Sequence, residues 1–268
     1  MSNYLHGYSD QEQNRLLAQA KMSEGKIYNS VDFFEAPHIL EVGSGVGAQT
    51  EILLRRFPDL KIDCIDLSES QIKVAQEYLK SKPYCSGRFN IQKMNAELLE
   101  FESASFDGAF LCWVLEHVPS PNKVLSEVRR VLKPGSRVYV TEVMNSSFFL
   151  EPYSPHVWKY WMAFNDFQLD QAGDPFVGAK LGNILLSQGY RNIVTEIKTW
   201  HFDNRYPKQR ARFITFWKDL LLSASDVLVE NTEITENAVK MVEKELSEVS
   251  RNPNAVFSDS FMQATAEV

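Results

Sequence analysis

The most constraining stretch of the chain is HILEVGSGVGAQT, residues 38–50. An apolar run ends at Glu41, and glycines follow at alternate positions, Gly43, Gly45 and Gly47. A buried strand turning straight into a helix through a turn stripped of side chains leaves backbone N–H groups free to surround a small ligand. A tight turn that merely packs would look the same, so neighbouring features have to decide.

Those features repeat one rhythm. KIDCID (61–66), RFNIQKM (88–94), FDGAFLCW (106–113) and RVYVTEV (137–143) read as strands. Between them, helices are predicted from Thr50 to Phe57, from Ser68 to about Lys80, and over 121–132. In the last of these, Val124, Val128, Val131 and Leu132 share a face and Lys133-Pro134-Gly135 is the stop. Alternating strands and helices imply a parallel sheet covered on both faces. Ser9 to Glu12 is a capping box for a helix over 9–29. The rhythm breaks at Phe148: eight of the twenty residues 148–167 are Phe, Tyr or Trp, against 12 % over the chain. A helix over 174–190, a sixth strand from Arg191, helices over 207–250 and a last strand, AVFSDSFMQATAEV, complete the reading.

Composition narrows the function. A net charge of −7 with no Lys/Arg run disfavours nucleic acid. Cys64, Cys85 and Cys112 form neither a disulfide framework nor a zinc pattern, and no metal site is expected. The polar N-terminus is unlike a secretory signal and no stretch is apolar enough to span a bilayer, so a cytoplasmic protein is expected, with no membrane partner.

Asp66 ends the second strand, where an acid takes both hydroxyls of a ribose. Ser68 already fills the helix-capping role, which favours the ribose. GSGVGA with this acid also fits a loose dinucleotide fingerprint, which keeps an NAD(P)-dependent oxidoreductase open. A cofactor-binding partner protein without catalysis is the third alternative.

Glu41 two residues before the first glycine, Asn95-Ala96-Glu97, SFDGAFLCWVLEHVPSP (105–121) and VLSEVRRVLKPG (124–135) form an ordered set with Asp66. As a set, over roughly 36–145, they resemble the class I S-adenosylmethionine-dependent methyltransferases of the small-molecule branch. The resemblance implies a Rossmann-like, seven-stranded, mostly parallel sheet with helices on both faces, an antiparallel last strand and an α-helical substrate cap. It divides the chain into an N-terminal lid helix (1–30), a cofactor-binding core (31–147), an aromatic cap insertion (148–172), and completion of the sheet (173–268) with the inserted helices 207–250. Those helices either cap the monomer or form a homodimer face.

By the same resemblance, Gly43, Gly45 and Gly47 let the backbone approach the methionine portion and ribose, and Glu41 holds the ammonium. Asp66 takes the ribose hydroxyls, Leu67 packs on the adenine, and Gln71 reaches the ribose or its surroundings. Asn95 stands where the family usually has Asp, flanked by Ala96 and Glu97. Leu111, Cys112 and Trp113 lie near the methionine part, and Tyr8 or Tyr4 closes over the sulfonium end. The implied reaction is in-line displacement, passing a methyl from S-adenosylmethionine to an N, O or C atom of a small, largely apolar metabolite and leaving S-adenosylhomocysteine. A base is needed only if the nucleophile arrives protonated. His156, in the aromatic segment, is the preferred candidate, His117 the second and His201 the third. Tyr153, Trp158, Trp161 and Phe164 are the expected substrate contacts, although an aromatic cluster at helical spacing also suits plain packing.

Overall fold

The computed structural model describes residues 6, 7 and 9–268. The elements run α1 (Asp10–Ile27), β1 (His38–Val42), α2 (Ala48–Arg56), β2 (Lys61–Asp66), α3 (Glu69–Lys80), β3 (Phe89–Lys93), β4 (Phe106–Cys112), α4 (Pro121–Val131) and β5 (Leu132–Val143). Then follow β6 (Phe149–Glu151), α5 (Pro155–Asp170), α6 (Leu181–Ser187), β7 (Arg191–Phe202), α7 (Pro207–Leu222), α8 (Ser225–Asn231), α9 (Glu236–Arg251) and β8 (Val256–Glu267).

The sheet order is β3-β2-β1-β4-β5-β8, with β7 on the far edge of β8. Strands β1 to β5 are parallel, and β8 runs antiparallel to both β5 and β7. The sheet has eight strands, not seven. The extra one, β6, opens the aromatic segment and pairs antiparallel with Val256–Ser258 of β8, on the edge that β5 leaves at Phe261. Lys133-Pro134-Gly135, expected as a helix stop, lies inside β5. Its irregularity is a register shift between the Phe106–Leu132 and Gly108–Arg137 pairs.

Local chemistry explains the helix ends. Ser9, Ser68, Ser120 and Thr235 each accept a hydrogen bond from a first-turn N–H, of Glu12, Gln71, Lys123 and Ala238 respectively. On α4, Val124, Leu125, Val128 and Val131 are fully buried, because 3.6-residue spacing puts them on one stripe. Helix α2, like α5, α6, α7 and α8, has no such cap. It starts at Ala48, directly out of the glycine turn.

Three apolar clusters divide the molecule. One lies between α1, α2, α3 and the sheet face carrying Phe110, Cys112 and Phe261. The second lies on the opposite face under α4 and α6. The third joins the aromatic segment to α7, α8 and α9. The aromatic insertion and the 207–250 helices therefore form one packed cap. Trp200 of β7 touches both the first and third clusters, so the seam between sheet and cap passes through it.

Candidate active site

The turn after β1 is pinned by its backbone. Gly43 and Ser44 both donate to the Ile65 carbonyl, at 2.9 and 3.0 Å, and Gly47 donates to Ser44. All three glycines have left-handed φ, 71°, 51° and 77°. Their surroundings differ. A Cβ on Gly43 would lie 2.5 Å from Val114 Cγ2, and one on Gly47 would lie 3.1 Å from Leu79 Cδ1. A Cβ on Gly45 would meet nothing within 4 Å. Two glycines thus admit the protein's own side chains, and only Gly45 opens onto free space, which narrows the expectation that all three clear room for a ligand. Gly45→Ala is expected to cost about 1 kcal/mol of stability, the strain of a left-handed non-glycine residue, while lowering affinity for S-adenosylhomocysteine by roughly tenfold or more. Thermal melts beside calorimetric titration check this, and unchanged affinity would show that the open space is not the binding space.

Two carboxylates flank the turn. Glu41 is 1 % exposed, accepts from Thr50 Oγ1 at 2.7 Å, and has Cys64 Sγ at 3.7 Å. Burial pushes its pKa up to about 7, and among the described residues no cation acts on it. Asp66 accepts from the Gly45 N–H and the Ser68 N–H, both at 2.8 Å, so it braces the turn while Ser68 caps α3. Burial raises its pKa, opposed by those backbone donors. Beside them, the buried Ser44 Oγ and Gln71 Oε1 have no hydrogen-bond partner among the described residues. Buried polar atoms are normally satisfied, so both point to a polar ligand that completes the set.

The remaining cofactor candidates divide. Leu67 is 61 % exposed beside Asp66, as an apolar surface awaiting a flat ring would be. Exposed Asn95 uses Oδ1 to accept from the Glu97 N–H, leaving its amide NH₂ without an intramolecular partner among the described residues. Ala96 is buried. Glu97 accepts from the Ser120 N–H and ties this loop to the start of α4. Leu111 is fully buried in the cluster under α4, so its side chain faces away from the turn. Cys112 and Trp113 are on the near side. Trp113 takes φ 58°, donates its N–H to Thr141 O and sets its ring edge-on to Phe261. Tyr8 and Tyr4 lie outside the described residues.

Sequence reasoning missed Glu142. It is fully buried near the end of β5 and accepts from the N–H groups of Val114 and Leu115, at 2.9 and 2.8 Å, and of Glu116 at 3.3 Å. Burial and then the charge of Glu116 raise its pKa to about 8. It holds in place the loop after β4 that closes over Gly43. The signal was available: an acid near the end of the apolar strand RVYVTEV is the same pattern that singled out Glu41 and Asp66.

The base candidates change order. His156 stands at the start of α5, paired with Glu245 Oε1 at 2.6 Å, and Glu245 also accepts from the N–H groups of His156 and Val157. The other end of α5 reaches the site, where Gln168 Nε2 donates to Glu116 O at 3.1 Å. Twelve residues of helix separate the two, about 18 Å at 1.5 Å per residue. His156 therefore joins α5 to α9, at the end of α5 away from Gln168. His201 sits 3.7 Å from Asp203 at the outer end of β7. His117 remains at the sheet edge, half-buried, 3.6 Å from Glu116 Oε1. Near it is His6, whose Nδ1 lies 2.7 Å from Ser223 Oγ and whose ring lies 5.7 Å from Phe164. Burial, then the charges of Arg15 and His117, lower the pKa of His6. The N-terminal segment thus meets the cap beside His117.

Among the expected substrate contacts, Tyr153 is 71 % exposed on the outside and does not line the cleft. Trp158 packs on Phe148. Trp161 stacks on Phe164 at 5.6 Å and 9°, and its Nε1 donates to Asn145 O. Phe164, in contact with His6, is the member of the set nearest the N-terminal segment.

Known proteins share these features. A methyltransferase domain model matches residues 40–140. The chain is similar to the O-methyltransferase cnsE of Penicillium expansum, 32 % identical over 61 % of this chain and 56 % of that protein. It is also similar to the demethylmenaquinone methyltransferase of Symbiobacterium thermophilum, 32 % identical over 49 % of this chain and 52 % of that one. The chain thus spans a little over half the length of these relatives. In fold it matches Haemonchus contortus phosphoethanolamine N-methyltransferase 2, with a TM-score of 0.54 and 20 % identity over 93 % of this chain and 52 % of that one. The domain match falls on the stretch that carries the glycine turn and strands β1 to β5, and the structural match shows a shared fold. The antiparallel β8 between β5 and β7 departs from the parallel 3-2-1-4-5-6 sheet of the dinucleotide enzymes. Among the described residues no helix is long and apolar enough to cross a membrane.

Proposed function

We propose that the protein transfers the methyl group of S-adenosylmethionine to a small, largely apolar metabolite. The observation that carries this reading is the cradle at the ends of β1 and β2, where Gly45 faces open space between Glu41 and Asp66 and two buried polar atoms lack partners. In this reading Asp66 takes the ribose hydroxyls and Leu67 covers the adenine face. Ser44 and Gln71 complete the polar contacts, and Glu41 answers the ammonium. The cofactor supplies an electrophilic sulfonium methyl. The chain's own residues do the rest. Trp113 and the cap aromatics exclude water, and the sheet edge holds the acceptor in line with the bond that breaks. The O-methyltransferase relative supports an oxygen acceptor.

Glu41 provides the test. Its pKa of about 7 without a cation falls when an ammonium arrives, so binding at pH 7 is expected to release up to about half a proton. Calorimetry with S-adenosylhomocysteine in two buffers of different ionisation enthalpy measures this, and Glu41→Gln should abolish the release and weaken binding. Absence of any binding by the wild-type protein, with NADH enhanced in fluorescence instead, would replace this reading by the oxidoreductase.

A further inference from the structure

The geometry points to Asp259 as the residue that receives the acceptor's proton, in a pocket for the hydroxyl of a small phenolic or enolic substrate whose ring rests on Trp113, Phe261 and Trp200. This rests on the methyltransferase reading and adds to it the acceptor class and a catalytic residue.

Side chains alternate along a strand, so Phe257, Asp259 and Phe261 of β8 share a face. Phe261 belongs to the cluster beneath α1, and Phe257 to the cap cluster. Asp259 therefore stands at the seam between sheet and cap. Its cross-strand partner is Trp200, which packs on Phe261 at 4.6 Å, and Phe261 in turn meets Trp113 at 6.2 Å. An aromatic wall thus runs from the end of β4 to the carboxylate. The position also lies beyond the last β5 pair, Val143–Phe261, where the sheet edge opens to the cap.

The carboxylate is held on one side only. Ser147 Oγ donates to Oδ1 at 3.2 Å and the Ser260 N–H donates to it at 2.9 Å, while Oδ2 takes no hydrogen bond from the described residues. Nearby charged groups are committed elsewhere: Lys198 to Glu196, His201 to Asp203, and Arg210 to the carbonyls of Asn252, Pro253 and Ala255. With no cation among the described residues acting on it, burial raises its pKa to about 7, suited to taking a proton near neutrality. In the step, the hydroxyl proton passes to Asp259 Oδ2 as an oxygen lone pair forms the new C–O bond. The electrons of the breaking C–S bond stay on sulfur, leaving a neutral thioether.

The test uses the full chain loaded with S-adenosylhomocysteine, with 2-naphthol as phenolic probe. Wild-type affinity for 2-naphthol is expected to rise as pH climbs through about 7, where Asp259 becomes an acceptor. Asp259→Asn should abolish that rise and weaken binding by roughly tenfold or more at pH 8, the loss of a charge-assisted hydrogen bond. Ser147→Ala removes a bond that lowers the Asp259 pKa, so it should move the step to higher pH, which keeps the proposal decidable if the asparagine variant does not fold. A flat wild-type profile, or a step that persists in Asp259→Asn or stays put in Ser147→Ala, would each overturn it. Failure to bind S-adenosylhomocysteine at all would remove the methyltransferase reading first, and this proposal with it.

Discussion

Asp66→Ala is expected to weaken binding of S-adenosylhomocysteine by about 100-fold or more, with the fold retained. A carboxylate that takes two ribose hydroxyls makes two charge-assisted hydrogen bonds, worth about 1.5–3 kcal/mol each. The substitution also takes the acceptor from the Gly45 N–H, loosening the part of the turn that faces open space. Asp66→Asn keeps one acceptor oxygen and the shape, so a smaller loss is expected, near tenfold. Calorimetric titration separates these outcomes. Affinity of Asp66→Ala within about twofold of wild type would mean that Asp66 only braces the turn, a role its bonds to Gly45 and Ser68 already give it.

The second large effect falls on stability. Glu142→Ala strands the N–H groups of Val114, Leu115 and Glu116. Each buried donor left unmet costs about 1–3 kcal/mol, so a loss of about 3–5 kcal/mol is expected in urea unfolding. Glu142→Gln retains acceptor capacity and removes a buried charge, and its effect depends on pH. The folded-state pKa of Glu142 is raised to about 8 from an ordinary value of 4.5. Between those values the folded state binds a proton that the unfolded state does not. Stability therefore declines as pH rises across that window, and Glu142→Gln should flatten the decline. A variant with an unchanged slope between pH 5 and 8 would place the titration elsewhere, with Glu41 and Asp259, both at about 7, the next groups to test.

Much of the site was legible because its signals are local. A strand end, alternate glycines and an acid at the next strand end lie close along the chain, and backbone sterics make them informative. Gly45 and Asp66 were singled out on that basis, with Glu41 and Gln71 added by the resemblance, and in the structure Asp66 accepts from the Gly45 N–H. The glycine turn was legible as a turn, but the division of labour within it was not. Gly43 yields to Val114 and Gly47 to α3, and both partners come from distant parts of the chain.

The placement of His156 was not legible for a related reason. His156 was favoured because it lay among aromatics, yet a helix presents residues over its whole circumference and along its whole length. Helix α5 carries Trp161 and Phe164 inward, while His156 at its start meets Glu245 of α9. That pairing spans 89 residues, and no periodicity encodes it. No sequence signal marks Asp259: an acid in an alternating strand usually faces water, and its place at the seam comes from the packing of the cap against β8.

The sequence alone determined the alternation of strands and helices, the glycine turn, the strand-end acids and the presence of a last strand, because these follow from backbone conformation and side-chain periodicity within a few residues. Tertiary structure decided which glycine faces open space, that Glu142 ties down the loop after β4, and that β6 continues the edge of β5. It also decided that a carboxylate on β8, rather than a histidine on α5, stands at the seam between sheet and cap. Each of these depends on which surfaces meet across long separations in the chain, and burial and contact exist only once those surfaces have met.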